Sequence, residues 1–257
     1  MIVREREDAF VMIKQADHSV IAGDCFANWK PELLKGDAFS DAVRYGITNH
    51  DFGWKELDDM PLWDDALGSP YDFKNFPVIP KLVFYKNGIN ELENLNPYAG
   101  KLCSRHYMHL TAGDMDFDEA KLFIKNEEDR QDRLEKEIEG FDRSLFEFHY
   151  SCLTICDNLS LYICLNEPGT SKEKEHPLFK DGIPIPEQVH DVFSDTRFDI
   201  RWADKHHIQV SPFPFKSETT VRLKQRIVPK ATIKDKGLVE SFRNTPEESF
   251  EITFVQG

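Results

Sequence analysis

The sequence predicts an α+β protein in which a mainly helical core carries a small antiparallel β-sheet. Between about residues 15 and 166, apolar side chains recur at the three-and-four spacing of helix faces. From about residue 195 they alternate with polar ones, as at Phe250, Ile252 and Phe254, which is the period of strands. We therefore expect one domain over residues 1–257, with a helical part at about 15–166 and a β-rich part at about 195–257.

The N-terminal segment predicts a hairpin that joins this sheet. Ile2-Val3 and the run from Phe10 to Ile13 are apolar, and the charged stretch from Arg6 to Asp8 suits the turn between them. The sheet is thus expected to combine this hairpin with strands from the C-terminal third.

The composition restricts the partners. The chain has 257 residues, of which 40% are hydrophobic and 12% aromatic, as in ordinary globular proteins. Its net charge of -14 opposes contact with a nucleic-acid backbone or an anionic membrane, so we expect neither. A small anionic substrate is compatible with this charge, because a bound cation inverts the local field. A homo-oligomer is compatible with the sequence as well.

Three features predict a cytoplasmic location. The start of the chain is too charged for a signal peptide, and no apolar stretch reaches the length of a membrane-spanning helix. The number of cysteines, five, is odd. Most of them lie in apolar helical segments, as buried free thiols do: Cys103, Cys152, Cys156 and Cys164.

The first two predicted helices bring metal-competent side chains toward the core. Asp17 can cap a helix in which His18 shares the apolar face that continues to Trp29. The next helix begins near Ser40, and its inward spacing continues to His50-Asp51. The following segment, from Asp58 to Pro80, is rich in proline and aromatic residues, which is typical of a lid or binding loop.

Two later helices add three more candidate residues, two on the first helix and one on the second. After a helix at about Lys81 to Leu95, Pro97 suits the first turn of another that runs to about Thr111 and carries His106 and His109. The charged run from Asp116 to Gly140 is typical of a solvated helix.

The most apolar predicted helix extends from about Arg143 to Asn166 and has Asp157 in its middle. A carboxylate on an apolar face is costly to bury unless a cation or strong donors compensate it. Asp157 therefore needs a partner.

These groups together predict a metal site. Imidazole and carboxylate ligands without thiolate suit iron, manganese, zinc or magnesium at a catalytic centre. Each residue alone has a simpler explanation, because a single histidine on an apolar face is usually a hydrogen-bonded core residue. Their coincidence favours the site, since several unpaired polar groups in one apolar interior are hard to stabilise. The candidates are His18, His50, Asp51, His106, His109 and Asp157.

The order of these residues resembles the HD-domain superfamily of helical metal-dependent phosphohydrolases. Local strings, namely Gln15-Ala16-Asp17-His18, His50-Asp51-Phe52-Gly53-Trp54, Asn96-Pro97-Tyr98, Ser104-Arg105-His106, Ser69-Pro70-Tyr71-Asp72-Phe73 and Cys156-Asp157-Asn158-Leu159-Ser160, are similar to a bacterial domain family of unknown function with an HD-like fold. The resemblance covers residues 1 to about 255 and implies a single HD-like domain.

The resemblance implies a ligand set. His18, His50, Asp51 and Asp157 would hold a first divalent metal ion, and Asp51 would bridge to a second where one is present. His106 and His109 are the candidates for that second ion. They stand on one helix, whereas two-metal members more often draw these histidines from separate segments, so the number of ions stays at one or two.

The resemblance also implies a reaction: hydrolysis of a small phosphorylated substrate, such as a nucleotide, with Asp51 in the catalytic centre. Arg105 and Lys55 are the cations nearest in sequence that could hold the phosphate. For Arg105, an ion pair within the protein is the alternative. Two other functions stay open, a di-iron oxygenase of the HD type and a non-catalytic binding module with the same fold.

Overall fold

The structure is a computed structural model that describes residues 1–35 and 37–257. The strands are β1 (Ile2–Glu5), β2 (Ala9–Ile13), β3 (Trp63–Asp64), β4 (Ser69–Pro70), β5 (Ile183–Pro184), β6 (Arg197–Trp202), β7 (His207–Ser211), β8 (Thr219–Pro229) and β9 (Glu248–Gln256). The α-helices are α1 (Gln15–Ala27), α2 (Ser40–Thr48), α3 (Lys55–Asp58), α4 (Val78–Leu95), α5 (Pro97–Thr111), α6 (Asp118–Glu137), α7 (Arg143–Leu165), α8 (His190–Phe193), α9 (Lys230–Lys236) and α10 (Leu238–Asn244).

A large curled sheet dominates the β part of the fold. Within the described ranges it has seven strands in the order β1-β2-β8-β9-β7-β6-β5, and β3 pairs with β4 separately. Neighbouring strands are antiparallel except β7 and β9, which run parallel with Ile208 opposite Phe254. The N-terminal hairpin joins the sheet where Phe10 of β2 stands opposite Val228 of β8.

The predicted fold class, a mainly helical HD-like core with a small antiparallel sheet, is wrong. The sheet is a large mixed half-barrel that stands beside the helices. The segment between the two predicted parts, before about residue 195, contains β5 and leads into β6. Phe198, Ile200 and Trp202 of β6 are buried and alternate with exposed charged residues, so the strand period was present there. A period of two assigns side chains to faces, but it does not show which strands pair or in which direction.

The helices α1 and α7 connect the metal candidates to this sheet. The first contacts β8, and the second contacts β1 and β5. Their apolar side chains share one core with the inner face of the sheet, where Cys156 and Leu159 of α7 belong to the same cluster as Ile208 and Phe254. The two long helices are thus held in place from one side by the sheet and by one another.

Capping residues explain where two of the long helices, α5 and α7, begin. The Asn96 side chain accepts a hydrogen bond from the Ala99 amide at the start of α5, with Pro97 in the first turn, and Asp142 accepts one from the Leu145 amide at the start of α7. The predicted helix at Pro97–Thr111 is confirmed. Asp17 lies within the first turn of α1 and is not its cap.

Two further predictions concern buried thiols and membrane helices. The five cysteines, all in the described ranges, are free and buried, which confirms the expectation for the helical ones. None of the helices in the described part of the chain is long and apolar enough to cross a bilayer.

Candidate metal centre

Three segments bring four metal-competent side chains to one point. His18 comes from α1 and Asp157 from the middle of α7. His50 and Asp51 follow the end of α2 at Thr48 and stand in the turn before the short 3-10 helix Phe52–Trp54. The expectation that this pair continues the helix face is therefore wrong. It is the turn that directs both side chains inward.

The facing atoms of these side chains are close together. The Nε2 atoms of His18 and His50 are 3.1 Å apart. Asp157 Oδ1 lies 3.2 Å from His18 Nε2 and 3.3 Å from His50 Nε2. Asp51 Oδ2 lies 3.4 Å and 3.9 Å from the same two nitrogens. All four side chains are strongly buried, and Asp157 is the most exposed at 12%.

The hydrogen bonds at the back of each imidazole fix which nitrogen carries the proton. His50 Nδ1 lies 2.7 Å from the carbonyl oxygen of Ile47, which can only accept, so Nδ1 donates. The Ser160 hydroxyl donates to the Asp157 carbonyl and must accept from His18 Nδ1 at 2.7 Å. In its neutral form each imidazole therefore presents an Nε2 lone pair to the centre, as metal-bound histidines do.

When both histidines are neutral, the centre thus consists of four acceptor atoms, which need a shared proton or a cation between them. Two carboxylates and two lone pairs at these distances repel each other unless a proton or a metal ion is shared. Without a metal, burial would lower the pKa of His18, but the hydrogen bonds of Asp157 and Asp51 outweigh it and raise that pKa to about 9. Burial opposes ionisation of Asp157, yet His18 and His50 hold its pKa well below its ordinary range.

The residues fit a divalent metal ion on three counts. Ligands about 2.1 Å from a metal lie roughly 3.0 to 3.4 Å from their neighbours in octahedral or tetrahedral geometry, and most of the observed separations are near this range. Two sets of potential ligands meet here, His18 with His50 and Asp157, and His50 with Asp51 and His106. Finally, Asp51 Oδ1 is buried and has no hydrogen-bond partner in the described residues.

His106 stands beside the four-atom centre. The centre of its ring lies 5.0 Å from the centre of the His50 ring, and the two rings are nearly perpendicular. The His106 side chain is buried. Burial lowers its pKa to about 4, although Asp157 and Asp51 oppose this shift. A neutral imidazole beside Asp51 offers a ligand to a second ion or a hydrogen bond to a bound substrate.

The structure does not bring the other predicted residues into this cluster. His109 is exposed on α5. Lys55 is exposed, and its ammonium lies 5.3 Å from the centre of the Phe52 ring. The Arg105 guanidinium lies 5.2 Å from the centre of the Tyr150 ring. The ion pair weighed as an alternative for Arg105 is not found among the described residues.

Close helix contacts position the ligands. A Cβ on Gly88 of α4 would lie 2.5 Å from the Gly53 amide nitrogen, so the turn that carries Asp51 rests directly on the α4 backbone. A Cβ on Gly23 of α1 would lie 2.1 Å from Thr48 Oγ1. This contact brings α1 to the end of α2 and hence His18 to His50.

The sequence analysis does not predict the role of Ser160, which fixes the tautomer of His18. Spacing on α7 places Ser160 near the face that carries Asp157, because residues three positions apart are neighbours on a helix. That spacing does not show that His18 of α1 contacts it.

Comparison of the chain with family models identifies a family of unknown function. The family model described as "Protein of unknown function (DUF3891)" matches residues 1–230. The chain belongs to the DUF3891 family. The match contains all of the predicted ligands, and the description of DUF3891 assigns it no activity. No curated protein and no solved structure matches the chain.

Proposed function

We propose that this DUF3891 protein is a metal-dependent hydrolase of a small phosphorylated molecule, such as a nucleotide. The observation that carries the proposal is the convergence of four acceptor atoms, from His18, His50, Asp51 and Asp157, on one buried point. The order of these residues along the chain is also the order that the resemblance to the HD-domain superfamily implies.

A divalent metal held by these ligands would act as a Lewis acid that acidifies a coordinated water and neutralises charge on a phosphoryl oxygen. The protein's own residues have separate tasks. Ser160 and the Ile47 carbonyl orient the imidazoles, while the free Asp51 Oδ1 can accept a proton or a second ion. These contacts hold the ligands before a substrate arrives.

Arg105 supplies the cation for the substrate phosphate in this proposal. It adjoins His106 on α5, and Tyr150, which stacks with it, stands seven residues before Asp157 on α7. Residues seven apart on a helix share a face, so Arg105 and Tyr150 lie on the Asp157 side of the centre. The burial of the ligands limits direct contact to a small protruding group, for which a phosphoryl group is suited.

One observation favours a second candidate, the di-iron oxygenase. His50, Asp51 and His106 form a second potential ligand set, in which the Asp51 carboxylate could bridge two ions and His106 could bind the second one. Carboxylates and imidazoles on two adjacent ions also suit iron. Iron in the purified protein together with oxygen-dependent turnover would favour this reaction over hydrolysis.

The experiment compares the two His-Asp pairs of the chain. Wild type, Asp51→Asn and Asp191→Asn are purified without added metal, their metal content is measured, and each is assayed on phosphomonoesters and phosphodiesters. We expect bound metal and hydrolysis in wild type and Asp191→Asn, and loss of both in Asp51→Asn. Asp191 is a matched control because its side chain is 70% exposed and follows a histidine.

Two results would contradict the proposal. Equal metal content in all three proteins would remove Asp51 from the site. Metal in wild type with ligand binding but no turnover, under hydrolytic or oxygen-dependent conditions, would identify the non-catalytic binding module.

A further inference from the structure

A cavity lies away from the metal ligands, between β2, the β3–β4 hairpin and the pair α9–α10. Its volume is about 550 Å³. This is within the range of small-molecule sites, roughly 300 to 1,000 Å³. Six side chains form its walls, from Phe10, Trp63, Lys230, Ile233, Lys234 and Leu238. None of the predicted metal ligands is among them.

The walls of this cavity are mainly apolar. Phe10 and Leu238 are buried, and both belong to a small core cluster between β2 and α10. The Trp63 ring stands edge-on to Phe10, with 6.1 Å between the ring centres, and is 37% exposed. Phe10 and Leu238 thus form an apolar floor, and Trp63 is a side wall that a ligand can still cover.

Two glycines keep the mouth of the cavity open. Neither Gly68 nor Gly237 has a heavy atom of the described residues within 4 Å of the place where a Cβ would stand. Their φ angles are +66° and +81°, which L side chains rarely adopt. Gly68 and Trp63 also belong to the aromatic segment Asp58 to Pro80, which the sequence marks as a lid or binding loop.

The mouth carries positive charge on a strongly acidic protein. Lys230 Nζ pairs with Glu5 at 2.6 Å and lies 5.0 Å from the centre of the Phe10 ring. Lys234 is exposed and, among the described residues, forms no ion pair. With a net charge of -14 on the whole chain, a lysine without a carboxylate partner at an apolar cavity is complementary to an anion.

We propose that this cavity binds a small amphipathic carboxylate. Its apolar body would lie against Phe10, Trp63 and Leu238, and its carboxylate would contact the Lys234 ammonium. The concave shape and a single lysine without an ion pair among the described wall residues fit one small molecule better than an extended polymer, which would need a row of charges. This site is independent of the proposed hydrolase, because it shares no residue with the metal centre.

The test measures binding of octanoate to the full chain, with 1-octanol as the neutral analogue. We expect saturable binding of one octanoate per chain, and a change in tryptophan fluorescence that Trp63→Phe abolishes while calorimetry still detects binding. Trp63 is a specific reporter because Trp29, Trp54 and Trp202 are buried. Lys234→Gln should weaken octanoate binding by about fivefold, as for an exposed ion pair, and leave 1-octanol binding unchanged.

Lys236→Gln is the matched control, since Lys236 is exposed on the same short helix but does not line the cavity. It should bind octanoate like wild type. Ile233→Trp fills the cavity and should abolish binding of both ligands, with circular dichroism and thermal unfolding checking that it folds. The proposal is overturned if wild type shows no saturable octanoate binding, if the two lysine variants behave alike, or if 1-octanol binds wild type as tightly as octanoate.

Discussion

The chain contains the dipeptide His-Asp twice, and the two copies have different surroundings. His50 is fully buried, and its Nε2 faces the carboxylate of another helix at 3.3 Å. His190 begins the one-turn helix α8, where its Nε2 donates to the Ile185 carbonyl at 2.7 Å. Asp191 is 70% exposed and contacts Lys35 at 3.2 Å. The dipeptide is therefore not itself the site, since ligands from α1 and α7 distinguish the first copy.

The largest expected effect comes from the backbone contact that holds the first pair. Gly88→Ala places a Cβ against Gly53, and we expect a loss of about 3 kcal/mol in the free energy of unfolding, the upper end for overpacking. Helix propensity alone would favour alanine by about 1 kcal/mol, so a net loss identifies the close contact. Urea denaturation measures it.

Gly113→Ala is the control for this prediction. In the described residues no heavy atom lies within 4 Å of its added Cβ, and its stability should stay within about 0.5 kcal/mol of wild type. Equal stabilities of the Gly88 and Gly113 variants would show that the turn does not depend on this packing.

A metal ion should stabilise the protein through the first pair alone. At a free metal concentration of 100 times Kd, binding to the folded state adds about 2.7 kcal/mol to the free energy of unfolding. We expect this increase in wild type and His190→Gln, and its absence in His50→Gln, when metal is added to protein stripped with a chelator. The same increase in all three proteins would place the metal elsewhere.

The sequence predicted part of this arrangement, for a local reason. His18 and Asp157 stand inside helices, where the position of a residue determines its direction, so apolar periodicity placed both correctly. His109 was misplaced because a step of three residues from His106 turns the side chain by roughly 60° out of line. That angle carries His109 from the buried face to the exposed one.

Other features depend on contacts between distant segments. Nothing local to Phe250–Phe254 shows that β9 enters between β7 and β8, so the sequence predicts a small antiparallel sheet where the structure has a large mixed one. Likewise, Ser160 has its role only because His18 of α1 packs against it. Such pairings follow from the packing of the whole chain and leave no periodic signal.

The hydroxyl behind His18 should contribute less than a ligand does. In Ser160→Ala the His18 Nδ1 proton loses its acceptor, and loss of such a partner weakens metal binding by about 10- to 100-fold. Ser151→Ala is the control, because the Ser151 hydroxyl is buried on the same helix and donates to the Glu147 carbonyl. Competition with a chromogenic chelator measures both affinities. If the two serine variants lose affinity equally, Ser160 does not position His18.

The smallest expected effect concerns a buried histidine whose partners are neutral. His149 Nε2 donates to the Lys35 carbonyl at 2.9 Å, so Nδ1 accepts from the Tyr98 hydroxyl at 2.7 Å. Burial lowers the pKa of His149 below its ordinary value of 6.5, and the Lys35 carbonyl only partly offsets this. The folded state therefore disfavours the imidazolium ion, in contrast to His18, whose carboxylate neighbours favour it.

The sign of the pH dependence follows from this lowered pKa. The contribution of neutral His149 to the free energy of unfolding is complete above pH 6.5, where His149 is neutral in both the folded and the unfolded protein. This contribution is lost as the pH falls from 6.5 to the lower folded-state pKa. Urea denaturation of wild type and His149→Gln between pH 7.5 and pH 5 should show that wild type loses more stability on acidification. If the two proteins lose the same amount of stability, the folded state accommodates the charged form of His149 as well as the neutral form. Burial alone would then not distinguish His149 from His18.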